Sequence, residues 1–178
     1  MTANQDMTVD ELRSRLLAFD TAVQLRYPGR AFRLVLVGGG AMVLLGCLAR
    51  ATADLDALAV PTELVGLMEQ YDINCRVNAY INNFAYSFED RLVSLDLGTE
   101  AVECYTASLE DIVASKLHSS RPTDELDVRR PEVLAVLDWE RLDRVAQDME
   151  ESSLNDRNYA EFVRSYAAFR EAYGPCEH

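Results

Sequence analysis

The sequence lacks several features that would assign the chain to a membrane-bound or exported class. Its first residues are polar and acidic, without the basic-then-apolar pattern of a leader peptide. The longest apolar stretch, from Leu34 to Ala49, is shorter than the roughly 20 residues that a membrane-spanning helix needs, and glycines interrupt it. We therefore expect a cytoplasmic protein with no membrane partner.

Cysteine pairs and positive charge are also scarce. The four cysteines are widely spaced and form no CxxC motif, which favours reduced thiols over disulfides. The formal net charge is −13, and such a surface repels phosphate backbones over long range. Non-specific binding of nucleic acid is therefore not expected as the main role, although a local basic site is compatible with this charge.

Two common phosphate-binding motifs are absent, although three consecutive glycines, Gly38–Gly40, follow an apolar run. A dinucleotide-binding fingerprint needs another glycine three residues later, where Val43 stands. A P-loop needs Lys and Ser or Thr after its last glycine, but Cys47 and Leu48 follow Gly46. The glycines alone therefore do not identify a phosphate site.

The apolar patterns predict an α+β fold. Thr8 and Glu11 form a capping-box pattern that predicts a helix reaching about Arg26. Strands are predicted at 32–37, 54–60, 91–97 and 101–105, and one or two more within 73–88, with the glycines forming a turn before a helix. Helical patterns dominate afterwards, so we predict a core with an N-terminal helix over 1–106 and a helical region over 107–178.

Two aspartates give the glycine turn a chemical context. Asp54 and Asp56 flank Leu55, and in a strand alternate side chains share one side, so both carboxylates emerge together. Neighbouring carboxylates repel one another unless a cation bridges them, and Mg²⁺ (or Mn²⁺) prefers such ligands together with substrate phosphates. The glycines let backbone N–H groups approach those phosphates. The combination fits metal-assisted nucleotidyl transfer; a solvated strand edge is the alternative.

The stretch LVGGGAMVLLGCLARATADLDAL, residues 36–58, resembles the signature of the DNA-polymerase-β-like nucleotidyltransferase superfamily. Arg50 and Thr52 before the acids resemble the branch that contains AbiE-type abortive-infection toxins. A second stretch, SLEDIVASKLHSSRPTDELDV at 108–128, resembles another segment of that branch, with Glu110 and Asp111 opening a helix.

The resemblance implies a nucleotidyltransferase-like mixed sheet flanked by helices, with a C-terminal helical region. It also implies a third metal-binding carboxylate on a neighbouring strand, for which Asp96 is our candidate and Glu89 and Asp90 are alternatives. Asp54, Asp56 and Asp96 would then be both catalytic and metal-binding. The implied nucleotide-binding residues are Gly38, Gly39, Gly40, Arg50, Thr52, Lys116, Arg121, Asp124 and Asp127.

Two choices about the second stretch stay open at this stage. Lys116 would contact the triphosphate or pair with Asp124 or Asp127. Arg129 and Arg130, next to that stretch, would receive a phosphate or an acceptor, or form ion pairs with the neighbouring acids.

The expected function is transfer of a nucleoside monophosphate from an NTP to a hydroxyl of RNA or protein. The resemblance implies a toxin–antitoxin pair with a separate antitoxin protein. A catalytically inactive nucleotide- or protein-binding module of the same fold is the main alternative, and an acidic structural adaptor is a third.

Overall fold

The structure is a computed structural model that describes residues 7–49, 52, 54–58, 60–119, 121–153 and 155–175. The chain forms two compact units. The first comprises Met1–Ala79 and Leu92–Ala107, and the second comprises Tyr80–Arg91 and Ser108–His178. Residues 80–91, which we assigned to the first part of the chain from the sequence, therefore group with the helical part.

The first unit begins with the predicted capped helix, α1, Val9–Arg26. The N–H and the hydroxyl of Thr8 donate to Oε2 of Glu11 at 2.7 and 2.8 Å, and the N–H of Glu11 donates to the Thr8 hydroxyl. This reciprocal pair confirms the capping box, which satisfies amide groups that have no partner within the first turn.

A five-stranded mixed sheet forms the centre of the first unit, with the strand order β3-β2-β1-β5-β4. Its central strand β1 pairs antiparallel with β2 and parallel with β5, while β2–β3 is parallel and β4–β5 is antiparallel. Every residue of β1 except Arg33 is buried, as expected for a central strand with both faces covered. The strands are β1 Phe32–Val37, β2 Leu55–Leu58, β3 Ile73–Asn74, β4 Val93–Ser94 and β5 Val102–Thr106.

Two further helices belong to this unit. Helix α2, Gly38–Leu44, starts directly at the first glycine, so the predicted turn is in fact the first turn of the helix. A 3₁₀ turn, Thr62–Leu64, leads into α3, Val65–Gln70. These elements confirm the predicted α+β class with a mixed sheet flanked by helices.

A buried carboxylate connects α1 to β5. Asp20 is 2% exposed and accepts hydrogen bonds from the backbone N–H groups of Glu100, Ala101 and Val102, the last two at 2.8 and 2.7 Å. Because β5 pairs with β1, this contact helps to set the position of the sheet's centre.

The predicted strands at 73–88 and 91–97 are mostly wrong. Only Ile73–Asn74 and Val93–Ser94 pair, and 3₁₀ helices occupy Arg76–Asn83 and Phe88–Arg91. Asparagine-rich sequence favours such turns because the side chain hydrogen-bonds to nearby backbone. The short β4 is an edge strand with both residues exposed, so its alternation does not indicate a buried face.

The second unit is helical. Its helices are α4 Leu109–Ser119, α5 Pro122–Val128, α6 Pro131–Leu134, α7 Trp139–Ser152 and α8 Asp156–Tyr173. Proline begins both α5 and α6, at the position where its missing N–H costs least. No helix in the described part of either unit is long and apolar enough to cross a bilayer.

Candidate active site

The glycines and the aspartates meet where β1 ends. In the antiparallel β1–β2 pair, Val37 is in register with Asp56, and Gly38 follows as the first residue of α2. The first turn of the helix therefore lies against the beginning of β2. The fold thus brings together two parts of the sequence motif that are separated by more than a dozen residues.

This approach is close enough to require glycine at two positions. Gly38 has φ +70°, which disfavours any other residue, and a Cβ there would lie 2.8 Å from Oδ2 of Asp56. A Cβ at Gly40 would lie 2.9 Å from the backbone oxygen of Asp54 and 3.2 Å from Cδ1 of Leu55. Gly40 is buried, while Gly39 is half-buried.

Burial alternates along residues 54–56. Leu55 is fully buried, while Asp54 on one side is exposed and Asp56 on the other is half-buried. Thr52 supports the segment before the strand: its backbone pairs with Met7, and its hydroxyl donates to the backbone oxygen of Asp54 at 3.3 Å. The predicted Arg50 lies outside the described residues.

Asn74 is a site residue that the sequence reasoning missed. It is in register with Asp56 on the neighbouring parallel strand β3, and its Nδ2 donates to Oδ1 of Asp56 at 2.8 Å. The signal in the sequence is the step from apolar Ile73 to polar Asn74, within the segment 73–88 where one or two strands are predicted.

Asp96, our candidate for the third ligand, lies in the segment that follows the edge strand β4. This strand is at the edge opposite β3, three strand spacings from β2. At about 4.8 Å per spacing, the strands β2 and β4 are roughly 14 Å apart across the sheet. Glu89 and Asp90 are exposed residues of the second unit. Among the described residues, no three His, Cys, Asp or Glu side chains form a metal-binding group.

The second stretch forms a buried ion-pair cluster within the second unit. Lys116, the only lysine of the chain, is 6% exposed, and its Nζ donates to Asp124 at 2.5 Å and to Asp127 at 3.0 Å. Nε of Arg121 donates to the other oxygen of Asp124 at 2.7 Å. Of the two roles considered for Lys116, the geometry favours pairing with both acids, because a single ammonium already contacts two carboxylates.

The cluster also explains the lowered pKa of Asp124. Burial raises the pKa of Asp124, but hydrogen bonds from Lys116 and Ser119 outweigh it, so that this pKa lies below its ordinary value. Arg129 pairs with Glu125 at 3.3 Å, and Arg130 lies 3.9 Å from Asp127. The geometry of the two arginines thus agrees with the ion-pair alternative.

Glu110 and Asp111, in the first turn of α4, each accept a hydrogen bond from a residue at least twenty positions away in the sequence. Asp111 is fully buried and accepts from Nε and Nη2 of Arg91 at 2.9 and 2.8 Å, a two-point contact across twenty residues, and from the Ser108 hydroxyl at 2.6 Å. Glu110 accepts from the backbone N–H of Asp138 at 3.1 Å, just before α7. Both acids therefore stabilise the packing of the helical unit.

Comparison of the sequence with known families gives one match. A family model described as "Nucleotidyltransferase of unknown function (DUF6036)" matches residues 14–174. No curated protein and no solved structure matches the chain. The match includes the glycines, both aspartates and the Lys116 cluster.

Proposed function

The chain belongs to this nucleotidyltransferase family, and from that premise we propose that it transfers a nucleoside monophosphate from an NTP to a hydroxyl of RNA or protein. The observation that carries the proposal is the contact between the glycine turn and the aspartate strand. A Cβ at Gly38 would lie 2.8 Å from Oδ2 of Asp56, so there is no room for a side chain between Gly38 and Asp56.

The donor set fits a divalent cation. Asp54 and Asp56 carry carboxylate oxygens, the hard ligands that Mg²⁺ (or Mn²⁺) prefers. The carboxylate of Asp56 lies beside the position that a Cβ at Gly38 would fill, and the backbone oxygen of Asp54 lies beside the corresponding position at Gly40. We propose that these two residues hold the ion. Once bound, the ion would supply Lewis-acid stabilisation of the phosphoryl oxygens during transfer.

The proposed reaction is a displacement at the α-phosphorus of the NTP. The acceptor hydroxyl oxygen forms a bond to that phosphorus, the bond to the bridging oxygen of the β-phosphate breaks, and pyrophosphate leaves. The hydroxyl proton passes to water. In this scheme the backbone of Gly38, Gly39 and Gly40 lies against the triphosphate, and Asp54 and Asp56 face the metal side.

The resemblance to the AbiE-type branch supports a narrower proposal about biological role. We propose that the acceptor is an RNA end or a partner protein and that a separate antitoxin protein restrains the activity. The acidic surface, with its formal charge of −13, disfavours long-range attraction of RNA, so an RNA acceptor would have to be recognised locally.

One observation favours a second candidate, an inactive nucleotide- or protein-binding module. The described residues provide no third carboxylate beside Asp54 and Asp56, and the register position on β3 carries Asn74 instead. A site with two carboxylates can still bind a metal ion and a nucleotide. It has one negative charge fewer than a site with three carboxylates for holding the metal ions that stabilise the transferred phosphoryl group.

The experiment that tests the proposal is incubation with labelled NTPs and total cellular RNA or protein. Wild type should transfer label in a Mg²⁺-dependent manner, and Asp54→Ala or Asp56→Ala should abolish the transfer. Transfer that survives both changes would overturn the enzyme proposal. NTP binding without transfer, detected as a rise in melting temperature with Mg²⁺ and NTP, would favour the binding module.

A further inference from the structure

Asn74 lies on β3, and its side chain donates a hydrogen bond to Asp56 of the candidate site. We propose that Asn74 is a positioning residue, which holds the carboxylate of Asp56 in the orientation required to bind a divalent cation. This inference rests on the proposed function, and it assigns a role to a residue outside both sequence motifs.

Two independent partners determine the orientation of the Asn74 amide. The backbone N–H of Arg76 donates to Oδ1 of Asn74 at 3.1 Å, and a backbone N–H can act only as a donor. The atom facing Arg76 is therefore the oxygen, so the NH₂ group faces Asp56. The contact of 2.8 Å with Oδ1 of Asp56 is thus a hydrogen bond to a carboxylate, the stronger charge-assisted type.

The carboxylate of Asp56 is consequently constrained from two sides. Nδ2 of Asn74 contacts Oδ1, while Oδ2 lies 2.8 Å from the position that a Cβ on Gly38 would occupy. The parallel register between β2 and β3 places Asn74 beside Asp56 on the same face of the sheet. Hydrogen bonds that orient a metal-binding carboxylate in this way typically change metal affinity 10- to 100-fold when they are removed.

An amide at this position also has an electrostatic consequence. A carboxylate there would face Asp56 at about the same distance, and two like charges in contact disfavour each other unless a cation lies between them. The neutral amide instead donates a hydrogen bond and adds no negative charge to the pair. Asn74 thus orders Asp56 in the absence of metal.

The experiment measures Mn²⁺ affinity by electron paramagnetic resonance, a readout that does not depend on turnover. The chain variants are wild type, Asp56→Ala, Asn74→Ala, Asn74→Asp and the control Arg76→Ala. Arg76→Ala removes an 82% exposed side chain two residues away but keeps the backbone N–H that contacts Asn74. The melting temperature of each variant is recorded with EDTA and with Mn²⁺.

We expect Asp56→Ala to abolish the Mn²⁺ site, Asn74→Ala to weaken it about 10-fold, and Arg76→Ala to change it less than about twofold. Asn74→Asp should lower the melting temperature in EDTA and recover it when Mn²⁺ is added, because the cation screens the new pair of acids.

Wild-type affinity in Asn74→Ala, with Mn²⁺ binding still dependent on Asp56, would overturn this inference and leave the proposed function standing. A lower melting temperature in Asn74→Asp that Mn²⁺ does not restore would also overturn the inference. The Asn74 side chain would then stabilise the contact between β2 and β3 without a role in metal binding. If wild type bound no Mn²⁺ through Asp54 and Asp56, the metal-dependent function and this inference would both fail.

Discussion

Gly38 and Asp56 approach each other so closely that a side chain at position 38 would displace the carboxylate. A Cβ there would lie 2.8 Å from Oδ2 of Asp56, and the φ of +70° is itself unfavourable for alanine. The glycine therefore serves two needs at once, the backbone conformation of the first turn of α2 and the space for the acid.

Gly38→Ala should abolish label transfer and weaken Mn²⁺ binding, because Asp56 must move. Gly98→Ala is the matched control: its φ is +74°, and a Cβ there has nothing within 4 Å. Gly98→Ala should lose about 1 kcal/mol of stability from the strained φ, and Gly38→Ala should lose more because its Cβ also displaces Asp56, as measured by urea unfolding. Equal transfer activity in the two variants would contradict the role given to the Gly38–Asp56 contact.

Lys116→Met should destabilise the protein by about 3 kcal/mol, because it leaves two buried carboxylates without their shared ammonium. Arg121→Met is the control, since it contacts the same Asp124 from a 63% exposed side chain and should cost below about 1 kcal/mol. Equilibrium urea unfolding measures both.

A triple variant separates structure from substrate binding at this cluster. Lys116→Met combined with Asp124→Asn and Asp127→Asn removes all three buried charges and should regain part of the lost stability. If Lys116 only stabilises the helical unit, the refolded triple variant keeps NTP binding, measured as a thermal shift. Persistent loss of NTP binding in a stable triple variant would assign Lys116 to the triphosphate instead.

Asp20→Asn should cost about 3 kcal/mol, because the new NH₂ group faces backbone donors that the carboxylate now accepts. Burial raises the pKa of Asp20, but hydrogen bonds from Glu100, Gln24, Val102 and Ala101 outweigh it, so that its pKa lies below 3.8. Its stabilising contribution is therefore complete above that value and is lost as the pH falls further. Urea unfolding between pH 2 and 5 should show a steeper acid limb for wild type than for Asp20→Asn.

His118 should make stability depend on pH in a different range. Its Nε2 is buried without a hydrogen-bond partner among the described residues, and its ring stacks on Phe162 at 5.9 Å. Burial lowers the pKa of His118 below 6.5, although Glu161 acts in the opposite direction. A group with a depressed histidine pKa stabilises the fold while neutral, so stability should fall as the pH drops below about 6.5.

The variant His118→Phe keeps an aromatic ring beside Phe162 and cannot titrate. We expect its melting temperature to change less than that of wild type between pH 7 and pH 5. A parallel decline in both proteins would show that other groups cause the acid sensitivity in this range.

Several parts of the fold and the site follow from short-range sequence. Thr8 and Glu11 lie three residues apart, so one turn of helix suffices to form the capping box. The alternation of Asp54, Leu55 and Asp56 has the period of a strand, and the apolar run of β1 identifies a buried central strand. Because these features need only neighbouring residues, the sequence determined them without knowledge of the rest of the chain.

Tertiary structure alone decided which distant residues meet. Asn74 contacts Asp56 across 18 residues and Arg91 contacts Asp111 across 20, because strand register and helix packing bring them together. Asp96, whose local pattern suits a strand end, lies beyond β4 on the far side of the sheet, since strand order is set by pairing rather than by chain order. The sequence by itself thus determined the buried central strand β1 and the alternating burial of Asp54, Leu55 and Asp56, and only the folded chain decided that Asn74 donates a hydrogen bond to Asp56.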